Sequence, residues 1–406
     1  MHLKCRLLAL ALLTYSVDVM AQVQTATNPL TTTSAKKWYE TFSIRGYVQI
    51  RYNRLFESND KLKCEQCDRS WGEGGGFAIR RGRIILSGNI AKNVYFYIQP
   101  DFGSAIGTTQ NIFQLRDAYI DLSVDKKSEF RFRFGQSKVP FGFENMQSSQ
   151  NRLPLDRADG LNSAVSNERD LGVFFYWAPE EARTFFADAV KDNIKGSGDY
   201  GVFALGVYNG QTANRPEQNK KVHVVSRFSY PFKIGKQVIE PGIQAYTGDY
   251  VLPTELRGVT TKAVKSFEFR DERAAASFIL YPQPFGIQAE YNIGRGPQYN
   301  PLKDSIEIRS LRGGYATLSM KIKGKKPEMV FYPFTRIQAY EGGKKHELDA
   351  RSYKVKEFEL GLEWQLNKNF ELTTMYTISQ RRFEDSKLKN NLQRGQLLRL
   401  QVQLNF

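Results

Sequence analysis

The chain has 406 residues, 41% of them hydrophobic, with a mean hydropathy of −0.48 and a formal net charge of +16. No run approaches the roughly eighteen consecutive apolar residues of a membrane-spanning helix, which excludes a helical spanning segment but not strands that hide their apolar residues by alternation. On a soluble protein the basic excess would suggest nucleic acid; on an exported β-protein it suggests anionic solutes or anionic lipid headgroups.

The N-terminus reads as a secretory signal over residues 1–21. Lys4 and Arg6 form a positive region, Leu7 to Leu13 a short apolar one, and Val19-Met20-Ala21 has the small-residue spacing of a cleavage site. Cys5 precedes the apolar run, so a lipoprotein start is not indicated. Residues 22–40 are rich in Thr, Ser and Ala without periodicity and read as a flexible lead-in. The expected barrel occupies 41–406.

The first strand starts at Phe42. Phe42, Ile44, Gly46, Val48 and Ile50 alternate with Ser43, Arg45, Tyr47, Gln49 and Arg51, a period of two that gives one lipid-facing and one wet face. A polar loop at 53–76 carries Cys64 and Cys67. A single C-x-x-C lacks the second pair of a structural zinc site, and no βαβ pattern surrounds it, so a local disulfide is expected and no metal or cofactor is implied. Strands follow at 79–90 and 94–101. After a loop at 103–111 come strands at 113–122 and 130–134. The segment 137–169 is the longest clear loop, and a loop of that size is usually functional. After a strand at 171–177, Pro179-Glu180-Glu181-Ala182 can open a short helix. Strands are then expected at about 200–209, 222–230, 237–248, 267–281, 285–294, 309–322, 329–341, 354–366, 370–382 and 394–406.

The connections alternate long and short, and the strand count is about sixteen. The expected fold is therefore all-β: a transmembrane antiparallel up-and-down barrel of the outer membrane of a Gram-negative bacterium. The last nine residues agree. From Leu398 to Phe406 every even position is apolar and every odd one polar, as a strand closing against the first one requires.

The wet faces are rich in arginine: Arg45, Arg51, Arg81, Arg83, Arg131 and Arg133 on the early strands, then Arg227, Arg336, Arg381 and Arg399. Guanidinium groups stay charged and offer forked donors to phosphate and carboxylate oxygens, so a column of them draws anions inward. The alternative is that they pair with lumen carboxylates such as Asp101, Asp117, Asp121, Glu240, Glu290 and Glu363, which stiffens a barrel without conferring selectivity.

The stretch Phe134-Gly135-Gln136-Ser137-Lys138-Val139-Pro140-Phe141-Gly142-Phe143-Glu144 resembles the motif that opens the constriction loop in the phosphate-selective porin O and P family. Leu115-Arg116-Asp117-Ala118-Tyr119, Leu205-Gly206-Val207-Tyr208-Asn209-Gly210, Gln288-Ala289-Glu290-Tyr291 and Gly313-Gly314-Tyr315 are similar to family motifs in the same order. The resemblance implies a sixteen-stranded, trimeric outer-membrane barrel with an inward-folded third extracellular loop. It also implies passive diffusion of small anions such as phosphate or polyphosphate, with outer-membrane lipid around the barrel and no nucleic acid. By the same resemblance Lys138, Arg152, Arg157 and Arg169 are candidates for the constriction. The loop departs from the family in carrying one lysine together with Asp156, Asp159 and Glu168.

Three other readings compete. A general or saccharide-preferring porin would use Tyr47, Tyr95, Tyr97 and Tyr332 as a sugar slide. An outer-membrane enzyme would need His223 or His346 at the lipid side, where neither is placed by the pattern. A structural or adhesive barrel would need only long polar loops. The expectation is a channel with no catalytic residues.

Overall fold

Strands one residue out of register would turn every charged lumen residue toward lipid, so the alternation fixes the pairing. The computed structural model describes residues 38–68, 74–106, 109–258, 260–263 and 266–406. The expected signal peptide and nearly all of the lead-in lie outside them; Trp38–Thr41 forms a short 3-10 turn.

Among the described residues, sixteen long strands form one closed antiparallel barrel. They are β1 (Ser43–Leu55), β2 (Phe77–Ala91), β3 (Val94–Ile106), β4 (Thr109–Ser123), β5 (Phe130–Lys138), β6 (Arg169–Trp177), β7 (Phe203–Tyr208) and β8 (His223–Ser229). Then follow β9 (Gln237–Val251), β10 (Glu268–Leu280), β11 (Phe285–Asn300), β12 (Ser305–Met320), β13 (Val330–Gly343), β14 (Ser352–Gln365), β15 (Phe370–Glu384) and β16 (Leu392–Asn405). Short pieces at Phe232–Ile234 and Ile322–Lys323 extend β8 and β12.

The strand expected at the C-terminus is the closing one. It pairs antiparallel with β1, with Tyr47 opposite Asn405 and Arg51 opposite Gln401. Gly46 N–H donates to Phe406 O at 2.8 Å and Phe406 N–H returns to Gly46 O at 3.0 Å. Glycine is required there, because a Cβ at position 46 would lie 2.6 Å from the Phe406 ring.

The outward set is exposed and apolar: Ile44, Ile50, Ile84, Leu86, Ile98 and Phe134 on the first five strands. The inward set is polar and buried. The two faces are those of a barrel with lipid outside and charge within. Connections at one end are mostly short. At 92–93, 281–284 and 366–369 only a few residues intervene, and in the last turn Asn367 Oδ1 accepts the N–H groups of Asn369 and Phe370.

The loop expected at 103–111 is shorter than its sequence suggested. Both strands run on through irregular pairs, Ser104 with Ile112 and Ile106 with Thr109, because register shifts absorb the residues that break the alternation. The expected helix is present as α1 (Glu180–Lys191) between β6 and β7, with acidic residues in its first turn and Lys191 in its last, matching its dipole. Among the described residues no helix is long and apolar enough to cross a membrane.

Candidate functional site

The segment 139–168 leaves β5 and turns at Gly142, whose φ of +87° suits a residue without a Cβ. The next two amides, of Phe143 and Glu144, donate to the Glu290 carboxylate on β11 at 2.6 and 2.9 Å. From there the loop's acids meet arginines of the wall. Glu144 lies 2.9 Å from Arg336 on β13. Asp156 lies 2.8 Å from both Arg51 on β1 and Arg399 on β16. Asp159 lies 2.8 Å from Arg381 on β15 and 2.5 Å from Lys344 in the loop after β13. All these charges are buried, Arg51 and Glu144 completely. Burial pushes the Asp156 carboxyl up, yet Arg51, Arg80 and Arg399 around it hold it well below the usual carboxylate range.

Most of the sequence-predicted arginines are paired. Arg83 reaches Asp101 at 2.7 Å, Arg131 reaches Asp199 at 2.7 Å, and Arg133 forks onto Asp121 at 2.7 and 2.8 Å. Arg157 reaches Glu168 at 2.9 Å, Arg169 reaches Asp117 at 2.9 Å, and Arg227 reaches Glu240 at 2.8 Å. Arg336 and Arg399 share Glu359 at 2.5 and 3.2 Å. Arg45 is exposed near the short-turn end.

Three buried candidates, Arg81, Arg152 and Lys138, have no carboxylate partner among the described residues. Arg81 gives Nη1 to Gln49 Oε1 at 2.8 Å and stands among Arg80, Arg83 and Arg152. Arg152 binds the carbonyls of Pro154 and Leu155, while its Nη1 is buried without a hydrogen bond. Lys138 gives its ammonium to the carbonyls of Met146 and Gln147 at 2.6 and 2.8 Å. An ammonium or guanidinium neutralised only by carbonyl dipoles keeps its attraction for an anion.

Several participants escaped the sequence reading. Lys344 and Lys345 come from a loop, yet Lys344 binds Asp159 and Lys345 pairs with Asp271 on β10. Their only signal was the Lys344-Lys345 doublet itself. Cys64 and Cys67 form the expected disulfide. Between them Gln66 donates to Arg157 O at 2.6 Å and accepts from Asn162 at 2.5 Å. Spacing alone did not reveal that contact. The Arg133 guanidinium also sits 3.8 Å from the centre of the Tyr119 ring, a stacking that alternation cannot signal.

Tyr47 and Tyr332 do not line an open slide. Both are fully buried, Tyr47 bonded to Ser149 and Arg83, Tyr332 to the Asn193 carbonyl. Tyr95 and Tyr97 are half-buried, and Tyr97 stacks on Tyr119. His223 is buried with both ring nitrogens unbonded, and His346 packs against Tyr250. Among the described residues no group of His, Cys, Asp or Glu side chains converges to hold a metal ion.

Against this geometry, the family model described as phosphate-selective porin O and P matches residues 57–406. Among solved structures, the outer membrane channel DcaP of Acinetobacter baumannii is similar, with a TM-score of 0.54 at 12% identity over 90% of this chain and 97% of that one. Salmonella typhi OmpF in complex with daunomycin gives 0.54 at 12% identity over 90% and 97%. The anion-selective porin from Comamonas acidovorans gives 0.52 at 10% identity over 90% and 99%. At such identities the likeness is one of fold. No curated protein matches the chain significantly.

Proposed function

The chain belongs to the phosphate-selective porin O and P family and forms a porin channel of the Gram-negative outer membrane, and from that premise we propose that it passes small anions, phosphate among them, past the 139–168 loop. One observation carries this reading: Arg81, Lys138 and Arg152 are buried cations without a carboxylate where loop meets wall. A desolvated cation without a counter-charge is costly, and an anion in transit supplies the missing charge. Weak binding at several such points lets the ion leave again. The remaining candidates, Arg51, Arg83, Arg131, Arg133, Arg157, Arg227, Arg336 and Arg399, contribute positive potential from a paired framework, and Arg45 adds an exposed charge near the short-turn end. The inward-folded third loop is in this proposal the constriction, and the functional unit a homotrimer in outer-membrane lipid.

The test is a planar bilayer with a salt gradient. The expected reversal potential shows anion preference, and phosphate blocks the chloride current. A cation-selective reversal potential would overturn the proposal. Absence of phosphate block would remove phosphate while leaving an anion channel.

A further inference from the structure

The channel has a second segment inside it, entering from the short-turn end. After α1 the chain does not return directly to β7. Ala182, Phe186 and Ala189 bury the inner face of α1, and Ala189 and Ile194 share an apolar cluster with Phe143 of the loop and Ile279 of β10. This base holds a tip running from Asp192 to Gly201. At the tip Lys195 Nζ lies 2.6 Å from Glu363 Oε1 on β14 and 4.5 Å from the centre of the Tyr332 ring on β13. Asn193 donates to Gln365 Oε1 of β14 at 2.6 Å, and Tyr332 O–H donates to the Asn193 carbonyl. In a ring of sixteen strands β14 stands half-way round from β6, so the tip spans the bore.

The tip also touches the large loop. Gln147 Nε2 donates to Lys195 O at 2.6 Å, and the Gln147 carbonyl accepts from Lys138 at 2.8 Å and Arg157 at 2.9 Å. Between the two segments remains a cavity of about 20 Å³, lined by Leu153, Pro154, Ile194, Lys195, Gln288 and Thr317. That volume is close to what one water needs, so the tip and the large loop pack closely against each other there. The tip can move. Its return limb holds Gly198 at φ +97° and Gly201 at φ +72°, and Lys195 itself sits at φ +65°, where a side chain is disfavoured.

We propose that the 192–201 tip is a second crossbar of the pore and that Lys195, latched to Glu363, is a residue that determines its specificity. Seated, the crossbar limits solute size at the short-turn end. An anion arriving there competes with Glu363 for the Lys195 ammonium, in series with the cations at the large loop. This rests on the channel reading, not on phosphate as the solute.

The experiment compares single-channel conductance, polyethylene glycol exclusion and reversal potential for wild type, Lys195→Met, Glu363→Gln and the charge-exchanged pair Lys195→Glu/Glu363→Lys. Both single variants are expected to raise conductance by about twofold or more and admit larger polymers, since each removes the ion pair between tip and wall. Lowered anion preference in a Lys195→Met/Glu363→Gln variant, which leaves no carboxylate uncovered, distinguishes a selectivity role from a brace. The exchanged pair is expected to restore the wild-type conductance. Unchanged conductance and exclusion in both single variants would overturn the inference. Should Lys195→Met not reach the heat-modifiable barrel form, Glu363→Gln, which leaves the lysine in place, decides alone. A wild-type protein that does not conduct would defeat the channel reading itself, a different result.

Discussion

The Asp156 carboxylate lies 2.8 Å from the Arg51 guanidinium, and Arg399 reaches the same Oδ2 atom at the same distance from the neighbouring strand. A loop residue is thus bonded across the seam where β16 closes on β1, and Arg51 also donates to Gln401 across that seam at 2.9 Å. Removing one partner of a buried ion pair costs about 3–5 kcal/mol, because the others are left uncompensated. Asp156→Asn is expected to loosen the loop, making the open-channel current noisier and the 139–168 segment sensitive to protease. Protease resistance equal to wild type would show that the clamp does not hold the loop.

Arginines that look alike in the sequence are expected to behave differently. Arg152→Ala and Arg81→Ala remove cations with no carboxylate partner, so phosphate block should weaken by about tenfold, the scale of one charge-assisted hydrogen bond. Arg133→Ala leaves Asp121 buried and unpaired instead, and should lower the barrel's thermal stability more than its phosphate block. Titration of the chloride current with phosphate, alongside heat-modified migration, separates the two patterns.

Gln66, between the bridged cysteines, ties the first loop to Arg157 and Asn162 of the third. Closing so short a loop stabilises it by about 2 kcal/mol in the chain-entropy account. The double variant Cys64→Ser/Cys67→Ser should therefore increase gating fluctuations, and Gln66→Ala should reproduce the effect with the bridge intact. If only the cysteine variant fluctuates, the bridge acts through something other than Gln66.

The loop carrying Lys344 and Lys345 should loosen in acid. Burial, then the neighbouring Lys345, pushes the His346 imidazole well below its usual range; Asp271 works against this shift and Arg273 with it. A histidine buried neutral leaves the docked loop fully stable above the unfolded value near 6.5 and weakens it as pH falls below that, by about 1.4 kcal/mol per pH unit. The opening constant over 343–352, from hydrogen exchange corrected for the intrinsic rate at each pH, should rise between pH 7 and pH 5. In His346→Gln that rise should vanish.

Gly46→Val would place side-chain atoms where the Phe406 ring and the Arg83 carbonyl already are. The expected result is loss of the heat-modifiable form, since the clash falls on the closing pair. Gly74→Val, where a Cβ meets nothing within 4 Å, should fold normally.

The barrel was legible because a strand with lipid on one side and charge on the other writes its geometry in every second residue. The run from Leu398 to Phe406 is the clearest case, and it closes against β1 as its pattern requires. The site was legible only in part. Alternation placed Arg51, Arg336, Arg381 and Arg399 on the inner face, but not which acid of the large loop each one meets. Those acids, Glu144, Asp156 and Asp159, sit in a loop without period, where the chain is positioned by tertiary bonds alone. Lys195 was hidden for the same reason. It follows a helix the sequence announces, in a glycine-rich stretch that gives no hint of reaching the opposite wall.

Four of the arginines that the 139–168 loop engages stand on β1, β13, β15 and β16, the two extremes of the barrel's sequence, while the acids that meet them come from between β5 and β6. Seating the loop takes these arginines out of water, at a cost of several kcal/mol each, and its own carboxylates offset that cost. One insertion thus straps the first strand to three of the last four from inside the seam.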